Sequence, residues 1–284
     1  MSVVLALGAA MVYGSADFLG GLASRRRAAL SVAFWAQLTG LLALLTALPL
    51  VGAANATRAD IVAGSVGGLF GGAGLVLLYR TLARGPMSVV APVTALTASV
   101  VPILAGVATG ERPGAAAVAG IAIALGSVVL ITREGPAEPA DGPGRRAPVA
   151  VVGSALLAGA LFGLFFVSLH HTGDDAGLYP LLGARLASVP LLGLLVLAKG
   201  EDLRGALTGR GALVVIASGV LDMTANVLYL FALRHGLLAI VSAITGLYPA
   251  ATVLLAQTVL DERMRRTQVG GLAIAALAAA LIAA

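Results

Sequence analysis

The chain has 284 residues, of which 59% are hydrophobic and only 11% are charged. A soluble domain carries roughly 25% charged residues because its surface faces water, so this composition excludes an ordinary soluble protein. The net charge of +5 fits basic residues at a membrane surface, and we expect no nucleic-acid partner. The chain contains no cysteine, which excludes disulfides and thiolate metal sites.

The apolar residues fall into runs of about 17–24 residues, each long enough to cross a hydrocarbon layer of about 30 Å. They predict an all-α integral membrane protein with about ten transmembrane helices, at approximately residues 3–22, 29–52, 61–82, 87–108, 114–132, 149–169, 177–197, 211–233, 237–260 and 268–284. The first run resembles a signal peptide, but no basic residue precedes it and it contains Asp17. We therefore interpret it as the first membrane helix.

A polar segment rich in proline and glycine, residues 133–147, predicts a flexible linker. It separates five predicted helices in residues 1–132 from five in residues 148–284. The halves share spaced features: Gly85 precedes Glu111 by the same interval that separates Gly236 from Glu262. Matches at one fixed shift indicate an internal duplication. Since each half has an odd number of helices, the sequence predicts two inverted five-helix repeats with a substrate site near the midplane between them.

This pattern resembles the EamA-type branch of the drug/metabolite transporter (DMT) superfamily. The resemblance rests on the Ala-Leu…Gly turns after the third and eighth spans, the Glu-Arg pairs after the fourth and ninth, and Pro249, Gly120 and Gly271. One departure is Ala98, which stands in the first half where the second has Pro249. The resemblance implies a multi-pass carrier of the bacterial plasma (inner) membrane, with a central cavity lined by both halves. It leaves the substrate open.

The basic residues favour one orientation in the membrane. Thirteen Lys and Arg residues lie in loops after odd-numbered spans, and three lie in the opposite loops. The positive-inside rule then places both termini outside the cell. Members of the family that the chain resembles are more often drawn with both termini inside, so the two orientations remain alternatives.

Polar side chains inside predicted spans are candidate binding residues, because they cost free energy in lipid and usually face a cavity or a partner. Asp222, Asn226 and Tyr229 recur at helical spacing in the eighth span and share one face. A carboxylate in mid-membrane costs roughly 2.5–3.5 kcal/mol on insertion scales. We interpret Asp222 as a substrate or proton site. The alternative is a buried polar patch that joins helices.

Two further spans carry candidates. Tyr13 and Asp17 lie on one face of the first span, where Asp17 is either a binding carboxylate or an interfacial anchor beside the cluster Arg25–Arg27. Arg185, in the seventh span, either binds a carboxylate through its planar guanidinium or extends to the membrane surface. Gln37 occupies approximately the matching place in the first half.

The ninth span has Thr245, Tyr248 and other hydroxyl residues at helical spacing beside Pro249, typical either of cavity lining or of helix–helix hydrogen bonding. Phe162, Phe165, Phe166 and Trp35 are expected in packing or lipid contact, with an aromatic cavity wall as the alternative. Glycines crowd the third span and predict close helix packing. Glu111 and Glu262 are expected at the starts of the fifth and tenth helices.

The sequence has no Walker motif, Rossmann fingerprint, HExxH or nucleophile elbow, and His170–Asp175 lacks zinc spacing. We expect no enzyme, cofactor or metal. The leading hypothesis is a secondary, non-ATP transporter that exports a small polar metabolite, such as an amino acid, by alternating access, with protons as candidate coupling ions. The alternatives are a multidrug efflux carrier for hydrophobic cations and a non-transporting membrane scaffold. The oligomeric state is not predicted.

Overall fold

The structure, a computed structural model, describes residues 1–51, 55–85, 87–131, 149–203, 205–260 and eight residues between 267 and 281. The secondary structure of these residues is helical. The principal helices are α1 (Ser2–Ser24), α2 (Ala29–Ala47), α3 (Arg58–Arg84), α4 (Met87–Ala108), α5 (Ala115–Ile131), α6 (Val149–His170), α7 (Tyr179–Ala198), α8 (Arg210–Leu233), α9 (Leu238–Thr245) and α10 (Pro249–Leu260).

Six of these helices, α1, α2, α3, α6, α7 and α8, are long and apolar enough to cross a membrane. Shorter apolar helices occupy residues 93–108, 115–127 and 238–252. The prediction of an all-helical membrane protein is confirmed for the described part of the chain, while the count of ten spans is established only for these six. The predicted linker at 133–147, Glu262 and most of the predicted last span lie outside the described residues.

The ninth predicted span is broken, not continuous. Between α9 and α10 the backbone turns at residues 246–248, where the Leu247 amide donates to the Ile244 carbonyl at 3.1 Å and the Tyr248 amide donates to the Thr245 carbonyl at 3.1 Å. These bonds reach three residues back instead of four. The cause is Pro249, which has no amide proton and cannot continue an α-helix without a break. The predicted span over 237–260 is therefore helical on both sides of this turn and is divided by it into α9 and α10.

The helices of the two halves pack across each other. α1 packs along α8, and α3 packs along α6 and α7. Glycine permits two of these approaches: a Cβ atom at Gly68 of α3 would lie 2.6 Å from the Ala184 carbonyl carbon, and one at Gly219 of α8 would lie 2.8 Å from that of Ala36. Both gaps are too short for a methyl group. As the glycine pattern predicted, the backbones meet where side chains are absent.

Glu111 caps a different helix from the one expected. Its carboxylate accepts hydrogen bonds from the backbone amides of Leu238 at 2.6 Å and Ala239 at 3.0 Å, the first residues of α9. The expected partner, α5, begins only at Ala115. A carboxylate satisfies the free amides and the positive end of the α9 dipole equally well. These two hydrogen bonds connect the α4–α5 loop of the first half to α9 in the second half.

Candidate functional site

A central cavity lies where α1, α2 and α3 of the first half meet α6, α7 and α8 of the second. Its empty volume, including the space at its mouth, is about 570 Å³. The lining residues come from both halves and are Tyr13, Asp17, Gln37, Gly68, Gly71, Leu75, Ala98, Phe162, Phe165, Phe166, Arg185, Asp222, Asn226 and Tyr248. Seven of the nine candidate residues from the sequence are among them.

Arg185 points into the protein from α7. Its Nη1 donates to Gln37 Oε1, its Nη2 donates to Asp222 Oδ2, and only 7% of its side chain is exposed. The hydroxyl of Ser188 donates to the same Gln37 oxygen at 3.0 Å. The alternative in which Arg185 reaches the membrane surface is therefore wrong. Its Nε atom is buried without a hydrogen-bond partner among the described residues.

Asp222 continues this network toward α1. The Asn226 amide donates to Asp222 Oδ2 at 3.2 Å, and the Tyr13 hydroxyl donates to Asn226 Oδ1 at 3.0 Å. The hydrogen bonds thus run without interruption from Gln37 on α2 through Arg185 and Asp222 to Tyr13 on α1. They hold four helices of both halves in register around one ion pair, and that ion pair has no net charge.

Asp17 lines the same cavity on α1 but stands outside this network. Within the described part of the chain its carboxylate has no hydrogen-bond or ion-pair partner. Arg27, from the cluster proposed as its anchor, donates instead to the Thr208 carbonyl at 2.6 Å. The cavity position favours binding over the interfacial anchor. An unpaired carboxylate in such a place can bind a proton or an ammonium group.

Tyr229 and Thr245 lie behind the cavity wall. The hydroxyl of Tyr229 is hydrogen-bonded to Ser242 at 2.9 Å, and its ring packs against Phe166 with 4.2 Å between ring centroids. Thr245 is buried on α9, and its hydroxyl has no partner within the described residues. The shared helical face predicted for Asp222, Asn226 and Tyr229 exists, but its last residue lies beyond the cavity. Tyr248, at the break after α9, does line the cavity.

An aromatic wall of Phe162, Phe165 and Phe166 on α6 forms the apolar side of the cavity. Phe165 and Phe166 lie 5.6 Å apart between ring centroids. Gly71 on α3 faces Phe165, whose Cγ would lie 3.3 Å from a Cβ atom at that position. The sequence analysis expected these rings in packing or lipid contact and gave an aromatic cavity wall as the alternative, and the three phenylalanines line the cavity. Trp35 is not in the wall: its indole nitrogen donates to the Leu203 carbonyl at 2.8 Å.

The cavity therefore offers three kinds of contact within one space. The guanidinium of Arg185 can bind a carboxylate through two parallel hydrogen bonds. Asp17 and Asp222 can bind an ammonium group or a proton, and the phenylalanine rings can contact an apolar or cationic group. No group of three or more metal-binding side chains occurs among the described residues.

Comparison with known proteins identifies related sequences and structures. The family model described as "EamA-like transporter family" matches residues 1–133 and 147–284. No curated protein matches the chain. A crystal structure of a protein with 19% sequence identity matches 96% of this chain and 95% of its own, with a TM-score of 0.69. Identity this low shows a shared fold alone.

Proposed function

Because the chain belongs to the EamA-like transporter family, we propose that it is a secondary transporter that exports a small polar metabolite, such as an amino acid, by alternating access. The observation that carries the proposal is a single cavity between the halves that combines a guanidinium, two carboxylates and an aromatic wall. Membership in this family and the apolar helices make the protein a multi-pass membrane transporter. The substrate class, the direction and the bacterial plasma (inner) membrane are parts of the proposal.

The proposed architecture is ten spans in two inverted repeats, residues 1–132 and 148–284, joined by the linker 133–147. The family match divides the chain at almost the same place. The reciprocal packing of α1 on α8 and of α3 on α6 also supports this arrangement. In an inverted repeat the halves can rock against each other about a fixed midplane site. The cavity residues would then face each side of the membrane in turn.

An amino acid fits the charges of the cavity. Its carboxylate would compete with Asp222 for Arg185, which lines the cavity. Its ammonium group would then contact the released Asp222 carboxylate and Asp17, so the one ion pair within the protein is replaced by ion pairs with both ends of the substrate. Its side chain would lie against Phe162 and Phe165. Binding by exchange of partners avoids the large cost of leaving one buried charge unpaired.

Asp17 supplies a means of coupling. Since it has no partner among the residues that the structure describes, it can take up a proton when the cavity faces the more acidic side and release it on the other. Protonation removes the charge that holds an ammonium group, so proton binding and substrate binding would exclude each other. Such mutual exclusion produces exchange of protons for substrate without ATP.

The first experiment compares metabolites released by cells that express the wild type, Asp222→Asn, or no transporter. Thr224→Ala is the matched control, because Thr224 lies on the same helix and, within the described residues, its hydroxyl bonds only to the Val220 carbonyl. We expect the wild type and the control to export one compound class that Asp222→Asn does not export. Full export by a variant that lacks both Asp222 and Arg185 side chains would contradict the proposed binding site, whereas equal metabolite release with and without the wild-type protein would favour a scaffold.

The aromatic wall favours a second candidate function, efflux of hydrophobic cations. Aromatic faces and an unpaired carboxylate attract such cations, and Asp17 shares the cavity with three phenylalanines. The two functions differ in their use of Arg185. Drug efflux should survive Arg185→Gln and fail in Asp17→Asn, whereas amino-acid export should fail in both. Accumulation of a fluorescent cationic dye in cells distinguishes them.

A further inference from the structure

A second, larger cavity lies on the outer face of the helices between α3 and α7. Its empty volume is about 820 Å³, and its lining side chains are mostly leucine, valine and alanine. It is separate from the central cavity described above. We call it the leaflet groove, defined by Leu69, Ala73 and Arg80 on α3 with Leu191, Leu195 and Lys199 on or directly after α7.

The leaflet groove has one closed end and one charged end. At the closed end α3 and α7 touch, because a Cβ atom at Gly72 would lie 3.0 Å from Ser188 Cβ. At the other end are two cations, Arg80 and Lys199. Neither side chain has an ion-pair or hydrogen-bond partner within the part of the chain that the structure describes. The walls between these ends carry no charge.

The length of the leaflet groove matches one leaflet of a bilayer. From Ser188 to Lys199 on α7 the helix advances about 16 Å at 1.5 Å per residue, and from Gly72 to Arg80 on α3 it advances about 12 Å. Half of a hydrocarbon layer of about 30 Å is about 15 Å. The closed end therefore lies near the bilayer midplane when the two cations lie at the level of the lipid headgroups.

We propose that the leaflet groove binds an anionic phospholipid, with one acyl chain along α3 and α7 and the headgroup phosphate between Arg80 and Lys199. The apolar walls match an acyl chain, and two unpaired cations match a phosphate and an anionic headgroup. The inner end of the lipid's acyl chain contacts Ser188, whose hydroxyl donates a hydrogen bond to Gln37, the residue that also accepts from Arg185. A bound lipid thus closes the side of the helix bundle next to the central cavity. The inference does not depend on the proposed function.

The test measures lipid binding directly on the purified full chain. Delipidated protein in detergent receives phosphatidylglycerol or phosphatidylcholine, and bound lipid is counted by native mass spectrometry while unfolding is followed by heating. We expect roughly a tenfold preference for phosphatidylglycerol at low ionic strength, since two cations act on one headgroup. Phosphatidylglycerol should also raise the unfolding temperature more than phosphatidylcholine does.

Three variants separate the parts of the site. Arg80→Gln with Lys199→Gln should remove the preference between the lipids. Ala73→Phe, which fills the groove and leaves both cations, should reduce binding of both lipids. Arg25→Gln with Arg26→Gln removes two exposed cations at the same end of the bundle outside the groove and should behave like the wild type. If the double groove variant does not fold, Lys199→Gln alone replaces it, because that side chain is exposed.

Three results would overturn the proposal. Equal binding of the two lipids by the wild type would remove the role of the cations. Stabilisation by inorganic phosphate equal to that by phosphatidylglycerol would show an ion site without an acyl chain. A dimer that Ala73→Phe dissociates, with no lipid preference, would show that a second copy of the chain occupies the groove.

Discussion

The guanidinium of Arg185 on α7 and the carboxylate of Asp222 on α8 form an ion pair in the wall of the central cavity, with 7% and 15% of their side chains exposed. Gln37, from the other half, accepts a second hydrogen bond from the same guanidinium. One cation is thus shared between a carboxylate of its own half and an amide of the other. A ligand carboxylate that displaces Asp222 changes a contact on which both halves depend.

Removal of one partner of this pair should destabilise the protein more than removal of both. In Asp222→Ala the Arg185 charge stays buried and unpaired, at a cost of about 3–5 kcal/mol. In Arg185→Met with Asp222→Leu no charge of this pair remains buried. The double variant should therefore unfold at a temperature close to that of the wild type, while transport stays absent. Thermal unfolding in detergent measures the unfolding temperatures of both variants. A double variant as unstable as Asp222→Ala would show that the ion pair itself supplies stability.

Neutralisation of Asp17 should leave folding intact and prevent proton-coupled transport. Asp17 has no partner among the described residues, so Asp17→Asn breaks no contact there. In proteoliposomes, accumulation of substrate driven by a pH gradient should fall to the level of empty liposomes, and exchange of labelled for unlabelled substrate should fall with it, because the neutral side chain no longer holds the ammonium group. Accumulation equal to the wild type would exclude Asp17 as the proton-binding group.

The cap of α9 by Glu111 should contribute measurably to stability. Glu111→Ala leaves two amides of α9 without their acceptor and should cost about 1 kcal/mol, with a smaller loss for Glu111→Gln, which keeps an acceptor oxygen. Arg112→Ala is the control, because Arg112 is adjacent and exposed. Chemical or thermal unfolding compares the three variants. Equal stability of all three would mean that water replaces the carboxylate at no cost.

Two glycine positions should respond in opposite ways to alanine. A Cβ atom at Gly219 would overlap the backbone of α2 at Ala36, so Gly219→Ala should force the helices apart and cost about 1–3 kcal/mol. At Gly126, on α5, no atom of the described residues lies within 4 Å of the added methyl group. Gly126→Ala should be neutral or gain up to about 1 kcal/mol from helix propensity. The yield of monodisperse protein after detergent extraction gives the comparison.

Local patterns in the sequence were sufficient for the membrane class, the approximate helix positions and the seven polar residues among the fourteen that line the cavity. Apolar runs of bilayer length identify membrane helices because each run meets lipid along its whole length. A charged group within such a run costs so much free energy that its presence indicates a cavity or a partner. For this reason Asp17, Arg185 and Asp222 could be selected without a structure.

The choice of partners depended on the tertiary structure. Arg185 could have reached the surface, Asp17 or Asp222, and the rotation of α7 against α2 and α8 determines which. The backbones also approach closely where Gly68 of α3 meets Ala184 of α7 and where Gly219 of α8 meets Ala36 of α2, between residues far apart in the chain. In this packing Asp17 has no partner among the described residues, and Phe162, Phe165 and Phe166 line the cavity. Helical spacing specifies which residues share a face, but only the neighbouring helices determine what that face contacts.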